Sequence, residues 1–259
     1  MLGAIAGDII GSVYEFDPIK TKDFPLFHST CFFTDDTVLT VAIAQAILSD
    51  GDYKRAVLEI GRKYPNSGYG GSFIHWLASA DPQPYNSWGN GSAMRVSPVG
   101  FAYNDIDEVL REAARSAEFS HNHPEGIKGA QATALSIFLA RNTHDKEVIR
   151  KEITERFDYD LTRTVDEIRP YYSFNESCQG TVPEAIISFL DADSYEDTIR
   201  NAISLGGDSD TLACIAGGIA EAYYGKIDQA IVDKIQEILT PELWDICERF
   251  YNKYIPQNL

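Results

Sequence analysis

The chain has 259 residues, 44% of them hydrophobic and 24% charged, and its 22 basic and 39 acidic residues give a formal charge of −17 at pH 7. So negative a chain is not expected to bind nucleic acid or an anionic membrane, because both attract basic surfaces. The composition is otherwise that of a globular protein long enough to bury a substantial core.

The N-terminal segment has no basic region ahead of its apolar stretch, and Asp8 interrupts that stretch too early for a signal peptide. No apolar run approaches the roughly 20 residues that cross a bilayer. The cysteines are far apart and form no Cys-x-x-Cys pair, which is typical of reduced core cysteines. They are Cys31, Cys178, Cys214 and Cys247. We therefore expect a cytoplasmic protein, and a monomer.

Apolar residues recur with a helical period along nearly the whole chain, and no segment shows the alternation of a half-buried strand. Two segments are apolar on most faces and should be buried helices: one begins near Val38, and the other runs from Leu212 to Tyr224. Amphipathic helices are predicted at 53–64, 106–117, 127–140, 146–157, 182–190, 195–205 and 243–254. The prediction is an all-α fold of roughly ten or more helices, in an orthogonal or bundled packing, as a single domain over residues 1–259.

Gly3, Gly7 and Gly11 recur every four residues near the N-terminus. On a helix they form one row that lets a neighbouring helix approach closely, and this explains them better than a phosphate-binding loop does. Asp8 and Glu15 are seven residues apart, which is two helical turns, so both are predicted to share a face with that row. Glu15 is then expected to face either solvent or a site.

Two acidic clusters stand immediately before the two buried helices, and each combines adjacent or alternate aspartates with threonine. Helix capping explains one acid of the first cluster, but it does not need two adjacent aspartates at the start of an almost wholly apolar helix, where a second buried carboxylate is costly unless it is paired. If the two helix starts meet, four carboxylates converge, and like charges so close need protons or cations to coexist. The donors are all hard oxygens, which favours a Mg²⁺ or Mn²⁺ site over two independent caps. The cluster residues are Thr34, Asp35, Asp36, Asp208, Asp210 and Thr211.

These clusters belong to a series of five motifs whose order resembles the ADP-ribosylglycohydrolases, the family of dinitrogen reductase-activating glycohydrolase and the ADP-ribosyl-acceptor hydrolases. The resemblance extends from about Gly3 to Gly225. The motifs are Gly7-Asp8-Ile9-Ile10-Gly11 with Glu15, Thr34-Asp35-Asp36, Gly89-Asn90-Gly91-Ser92-Ala93-Met94-Arg95, His121-Asn122-His123-Pro124-Glu125-Gly126, and Ser204-Leu205-Gly206-Gly207-Asp208-Ser209-Asp210-Thr211.

The resemblance implies an all-α hydrolase with two Mg²⁺ or Mn²⁺ ions that cleaves the bond between C1″ of ADP-ribose and its acceptor. It implies metal ligation by all six cluster residues named above, and a catalytic and substrate-contacting role for Glu15. It also implies that two segments hold the substrate. These comprise Asn90, Gly91, Ser92, Met94 and Arg95 in one segment, and His121, His123, Glu125, Gly126 and Ile127 in the other.

Cleavage at a ribose passes through an oxocarbenium-like centre, and metal-bound ribose hydroxyls would fix the sugar while a water attacks C1″. Asp36 or Glu15 is expected to accept the proton of that water. The partner is an ADP-ribosylated protein or a small ADP-ribose conjugate. Arginine is the favoured acceptor, with serine, O-acetyl-ADP-ribose and other adducts left open.

Several alternatives remain open on the sequence. His121 and His123 form a His-x-His pair, which without a third ligand indicates a cleft wall better than zinc. Arg95 is equally compatible with a phosphate contact and with an acidic partner. The aromatic segment 171–174 is compatible with two roles: stacking on adenine, or packing in the core. A non-catalytic ADP-ribose-binding protein is the main functional alternative. A prenyl-diphosphate enzyme is disfavoured because Leu39 stands where its aspartate motif needs an acid.

Overall fold

A computed structural model describes residues 1–255 and shows an all-α fold, as the sequence predicts. Within these residues there is no strand, and one isolated antiparallel bridge joins Gly89 to Ser177. The last four residues of the predicted domain, 256–259, lie outside the described part. The fifteen helices are α1 Leu2–Gly11, α2 Asp35–Leu48, α3 Tyr53–Gly61, α4 Gly71–Ala78, α5 Gly91–Met94, α6 Ser97–Ala102, α7 Ile106–Glu118, α8 Pro124–Thr143, α9 Lys146–Phe157, α10 Val165–Ile168, α11 Cys178–Leu190, α12 Tyr195–Ser204, α13 Ser209–Tyr224, α14 Gln229–Ile238 and α15 Pro241–Tyr254.

The long periodic segments all form helices, and the differences lie at their ends and among short elements. Helix α11 begins at Cys178, before the predicted start at residue 182, because Ser177 caps it and Pro183 is accommodated inside it. Helices α4, α5, α6, α10 and α14 were not predicted. Three of these span 4 to 6 residues, which is too short for a hydrophobic period to be read.

Helices α2 and α13 form the centre of a continuous hydrophobic core, as predicted for the two segments that are apolar on most faces. Eleven of the fourteen residues of α2 are buried, and α13 is buried from Ser209 to Ala222. Their first turns carry the acidic clusters, so the core brings charged side chains to its own centre.

The glycine row of α1 packs directly on the backbone of α13. A β-carbon at Gly3 would overlap the carbonyl of Gly217, and one at Gly7 would overlap the carbonyl of Ala213. At Gly11 it would lie 2.6 Å from the Cα of Asp210. The row is therefore a helix-packing surface, as the sequence indicates, and it ends against the second acidic cluster.

The four cysteines are buried and free of disulfides. None of the helices within residues 1–255 has the length and apolarity needed to cross a membrane.

Replacing Gly7 by alanine should destabilise the fold, because the new methyl group meets the backbone of α13, which has no room to move. We expect a loss of about 1–3 kcal/mol in the free energy of unfolding, the usual penalty of overpacking, measured by urea denaturation. Gly71→Ala is the matched control, since a β-carbon there meets nothing within 4 Å. Equal urea midpoints for the two variants would contradict the close packing of α1 on α13.

Candidate metal centre and cleft

The starts of α2 and α13 meet at the floor of a cavity of about 520 Å³. Thr211 at the start of α13 donates from Oγ1 to Asp36 Oδ1 over 3.4 Å, which joins the two acidic clusters directly. Six carboxylates line this cavity. They belong to Glu15, Asp35, Asp36, Glu176, Asp208 and Asp210.

Three of these acids form a tight group. Carboxylate oxygens of Glu15, Asp208 and Asp210 lie within 4.8 Å of one another. Beside them, Asp36 Oδ2 is buried and has no hydrogen-bond partner among the described residues. A buried carboxylate oxygen without a donor costs free energy, so this arrangement favours a bound cation.

The local sequence explains how each helix presents its acids. Thr34 caps α2 and accepts a hydrogen bond from the Asp36 N–H over 3.2 Å. Before α13, Gly206 has a φ of +65°, a conformation that glycine adopts readily. The next residue, Gly207, packs on the ring of Tyr172, where a β-carbon would overlap it. The two glycines thus turn the chain sharply so that Asp208 stands at the N-cap of α13.

Asp8 holds the first acidic cluster in place, a role that the sequence analysis missed. Its carboxylate is fully buried and accepts hydrogen bonds from the backbone N–H and the hydroxyl of Thr34. It also accepts from the N–H and the hydroxyl of Thr37. Four donors from the first turn of α2 therefore converge on one side chain of α1. The signal was the pair of threonines three residues apart, which both face α1.

Glu15 reaches the site by a different route from the one predicted. Helix α1 ends at Gly11, so Asp8 and Glu15 do not share a helix face, and that prediction is wrong. The helix ends where Gly11 abuts the backbone of Asp210, and a turn follows in which Tyr14 N–H donates to the Gly11 carbonyl over 2.8 Å. This turn places the half-buried Glu15 beside Asp208 and Asp210.

Burial and crowding raise the pKa values of the clustered acids. Burial, followed by the charges of Asp208 and Asp8, raises the pKa of Glu15 to about 7. Burial also raises the pKa of Asp8 to about 6 against the lowering effect of its threonine donors. Burial first and neighbouring carboxylates second hold the pKa values of Asp36 and Asp210 well above the usual range. Without a cation, the site therefore neutralises its charge by taking up protons.

The loop before α5 forms part of the cavity wall. Asn90 donates from Nδ2 to Asp208 Oδ2 over 2.7 Å and to Thr181 Oγ1 over 3.1 Å. Its amide thus orients a carboxylate of the cluster. Ser92 is buried and donates to the Gly126 carbonyl over 2.6 Å, which ties this loop to the first turn of α8.

Arg95 belongs to the cavity lining but is fully buried, and it pairs with no carboxylate of the described residues. Its Nη2 donates to the carbonyl of Ser116 and to Ser120 Oγ, each over 2.9 Å. The centre of its guanidinium lies 4.6 Å from the ring centroid of Phe119 and 6.0 Å from that of Phe73. The cation is therefore held by aromatic faces, and its Nε and Nη1 have no hydrogen-bond partner among the described residues.

The residues singled out from the sequence divide between the cavity surface and its support. Those that line the cavity are Glu15, Asp35, Asp36, Asn90, Gly91, Met94, Arg95, His121, Asp208, Asp210 and Thr211. The others stand behind the lining. They are Thr34, which bonds Asp8, and Ser92, His123, Glu125, Gly126 and Ile127, which lie at or beside the start of α8.

A sequence model of the ADP-ribosylglycohydrolase family matches residues 1–258. The chain belongs to this family. It is 28% identical to the human ADP-ribosylhydrolase ARH3, over 96% of this chain and 88% of that protein. It is 25% identical to the ADP-ribosylarginine hydrolase Tri1 of Pseudomonas putida, over 87% of this chain and 69% of that one. A solved structure described as an ADP-ribosylglycohydrolase-related protein complex superposes with a TM-score of 0.72 at 25% identity, covering 97% of this chain and 96% of that chain.

Membership of this family indicates that the protein is an ADP-ribosyl hydrolase, which is a kind of glycosidase.

The two histidines of the His-x-His pair do not converge on a common point. His123 caps α8 through Nδ1, which accepts from the Glu125 N–H over 3.1 Å, and His121 binds Ser120 through Nδ1. Among the described residues the metal-compatible cluster consists of carboxylates only.

The aromatic run 171–174 of the glycohydrolase divides in two. Tyr172 is half-buried and donates from its hydroxyl to the Gly180 carbonyl over 2.9 Å. Phe174 lines the cavity and is half exposed, as is Trp88 on the loop before Asn90. The sequence analysis missed Trp88, because a lone tryptophan in a loop carries no periodic signal.

Replacing Asp8 by asparagine should loosen the start of α2. The new amide NH₂ group would face N–H and O–H donors, which leaves buried donors unpaired at a cost of about 1–3 kcal/mol in the free energy of unfolding. We expect a lower Tm by calorimetry and weaker Mn²⁺ binding by titration. Thr37→Ser keeps a hydroxyl for Asp8 and should retain Mn²⁺ affinity. Wild-type stability and Mn²⁺ affinity in Asp8→Asn would contradict the anchoring role.

Proposed function

We propose that this protein removes ADP-ribose from ADP-ribosylated arginine by a divalent-metal-dependent hydrolysis at C1″. The observation that supports this most is the convergence of Glu15, Asp208 and Asp210 at the floor of a cavity large enough for a small ligand. Family membership supplies the reaction class. The free, buried cysteines suit a reducing compartment such as the cytoplasm.

The donor set fits two Mg²⁺ or Mn²⁺ ions. It is made of carboxylate and hydroxyl oxygens, and Asp36 Oδ2 is a buried acceptor that lacks a donor. The residues proposed to hold the ions are Thr34, Asp35, Asp36, Asp208, Asp210 and Thr211. When bound, the ions supply charge neutralisation, orientation of the ribose hydroxyls and acidification of water.

Two acids are placed to manage the proton of the attacking water. Glu15 is half exposed to the cavity, and its carboxylate lies beside those of Asp208 and Asp210, where a water held at the metal centre could reach it. Asp36 is nearly fully buried and holds Thr211 through Oδ1, so its role is positional unless its free Oδ2 receives the proton. We therefore assign the general base to Glu15 and keep Asp36 as the second candidate.

The cleft walls offer groups for the rest of ADP-ribose. The segments 68–71 and 89–91 are rich in glycine, and both line the cavity, so backbone N–H groups can approach the diphosphate. Arg95 adds a buried positive charge to the cavity lining. The exposed faces of Trp88 and Phe174 at the cavity surface suit stacking on adenine better than the more buried Tyr172.

Arginine is the acceptor that the charges favour. Five acids accompany Glu15 around the cavity, and Glu176 is exposed there, so a cationic guanidinium leaving group is attracted. The name of the bacterial relative Tri1 also refers to ADP-ribosylarginine. Serine-linked ADP-ribose and O-acetyl-ADP-ribose are the competing substrates.

The decisive assay supplies ADP-ribosyl-arginine peptide, ADP-ribosyl-serine peptide and O-acetyl-ADP-ribose separately, with Mg²⁺, with Mn²⁺ and with EDTA. We expect release of ADP-ribose, fastest from the arginine peptide, and its loss in EDTA. Preferred cleavage of another conjugate would change the acceptor. No release from any of the three would leave an ADP-ribose-binding protein.

Glu15→Gln should lower kcat by about 100-fold or more, as expected for loss of a general base. Its matched control is Asp17→Asn, which removes one charge from an exposed position two residues further along. If Glu15→Gln has a wild-type kcat, Glu15 is not the general base. Asp36 then becomes the candidate, and Asp36→Asn tests it.

Free ADP-ribose should bind poorly without a divalent ion. Arg95 is the one cationic side chain among the described residues that line the cavity, against six carboxylates. Two divalent ions return four of the five charges of Glu15, Asp35, Asp36, Asp208 and Asp210. Calorimetric titration should show affinity at least ~10-fold weaker in EDTA than in Mg²⁺, which corresponds to about 1.4 kcal/mol. Equal affinities would contradict a metal-dependent site.

A further inference from the structure

His121 stands in the cleft wall with one ring nitrogen toward the glycine loop. Its side chain lines the cavity but is only 5% exposed. A β-carbon at Gly91 would lie 3.0 Å from Nε2, and one at Gly89 would lie 3.6 Å from it. The two glycines leave this nitrogen uncovered, and no residue of the described chain forms a hydrogen bond with it.

The other ring nitrogen is held by a chain of two hydrogen bonds. His121 Nδ1 lies 2.8 Å from Ser120 Oγ, and Arg95 Nη2 donates to the same oxygen over 2.9 Å. Ser120 is fully buried. Its hydroxyl carries a single hydrogen, whereas a guanidinium can only donate.

These facts fix which group donates and which accepts in the hydrogen bond between Ser120 and His121. Arg95 uses a lone pair of Ser120 Oγ, so the hydroxyl hydrogen must find an acceptor elsewhere. Among the described residues the acceptor within reach is Nδ1 of His121. The opposite arrangement, in which Nδ1–H donates to Ser120, would leave the hydroxyl hydrogen buried without an acceptor, which is costly. Nδ1 is therefore the bare nitrogen, and the ring proton is on Nε2.

We propose that Ser120, oriented by Arg95, is a positioning residue that locks His121 in the Nε2–H tautomer, so that the imidazole donates a hydrogen bond to an oxygen of ADP-ribose in the cleft. This inference rests on the proposed function for the identity of the ligand. It assigns Arg95 an indirect role, in which its charge orders a hydroxyl and need not touch a phosphate.

The surroundings of the ring also keep it uncharged. Burial and, second to it, the charge of Arg95 lower the pKa of His121 well below its usual value. The aromatic rings of Tyr85 and Phe73 face it at centroid distances of 5.9 and 6.5 Å. A neutral ring in a mixture of tautomers would donate through Nε2 only part of the time, and the hydrogen bond from Ser120 removes that ambiguity.

The tautomer can be observed without any substitution. In protein labelled with ¹⁵N-histidine, with the His121 resonances assigned by the His121→Gln variant, two-bond ¹⁵N–¹H correlation near pH 7.5 should show Nε2 protonated and Nδ1 bare. Protonation at Nδ1 would overturn the proposal. The measurement requires no turnover and no folded variant at Ser120.

Substitution of Ser120 tests whether the tautomer of His121 contributes to ADP-ribose binding. Ser120→Ala should shift the ring toward a tautomer mixture and weaken ADP-ribose binding in Mg²⁺ by about 2-fold if half of the rings carry the proton on Nδ1, and by more as that share grows. For hydrolysis, KM should rise while kcat changes less than about 2-fold. Ser120→Thr restores the hydroxyl and should restore both the tautomer and the affinity.

The matched control is Ser116→Ala on the preceding turn. Ser116 is equally buried and its hydroxyl donates to the Ala113 carbonyl, while only its backbone carbonyl, which the variant keeps, accepts from Arg95. Wild-type affinity is expected. If Ser120→Ala binds ADP-ribose as tightly as Ser116→Ala, the positioning role is refuted. Absence of hydrolysis with an intact tautomer and affinity would refute the proposed function alone.

Discussion

The contact between the backbones of α1 and α13 is the constraint on which the site depends. Because glycine stands every fourth residue on α1, the two helices touch without intervening side chains. Asp210 at the start of α13 is thereby brought against the end of α1 at Gly11. Asp8, one turn earlier, is then close enough to receive the first turn of α2. A single close packing thus fixes the relative positions of three chain segments that are far apart in sequence.

That arrangement concentrates negative charge where the fold can least screen it. Asp8 is compensated internally, because four donors from Thr34 and Thr37 surround its carboxylate. Asp36 and Asp210 have fewer donors, and burial together with neighbouring carboxylates holds their pKa values well above the usual range. The difference separates two kinds of buried acid: one is part of the scaffold, and the others retain unused acceptor capacity. Buried carboxylates with too few donors lower the stability of the fold. Such a loss is expected at a functional site, where local stability is given up for binding.

Much of this could be predicted from the sequence, because helical periodicity and capping patterns are local signals. The buried helices α2 and α13 and the acidic clusters at their starts follow directly from such patterns. The place of Glu15 did not follow, because the end of α1 depends on a contact with Asp210 nearly two hundred residues away. The role of Asp8 was not predicted either, because its hydrogen bonds cross between helices and the threonine pair that signals them lies in another segment. Arg95 could be read as a phosphate contact or as half of an ion pair; among the described residues it has no carboxylate partner, and aromatic rings and a serine surround it.

The net charge of −17 disfavours anionic partners, whereas the proposed substrate carries an anionic diphosphate. The distribution of charged and neutral groups in the cleft reconciles the two. Five of the six acids are buried or half-buried at the floor, where divalent ions would convert an anionic surface into a nearly neutral one. The walls contribute neutral donors, namely glycine N–H groups and the imidazole of His121, because burial and Arg95 keep that ring uncharged. Neutral donors can bind a diphosphate without attracting the acids below, since they present a dipole in place of a full charge. Arg95 is fully buried in this wall and pairs with no carboxylate of the described residues, and it donates to Ser120 Oγ, the atom that lies 2.8 Å from His121 Nδ1.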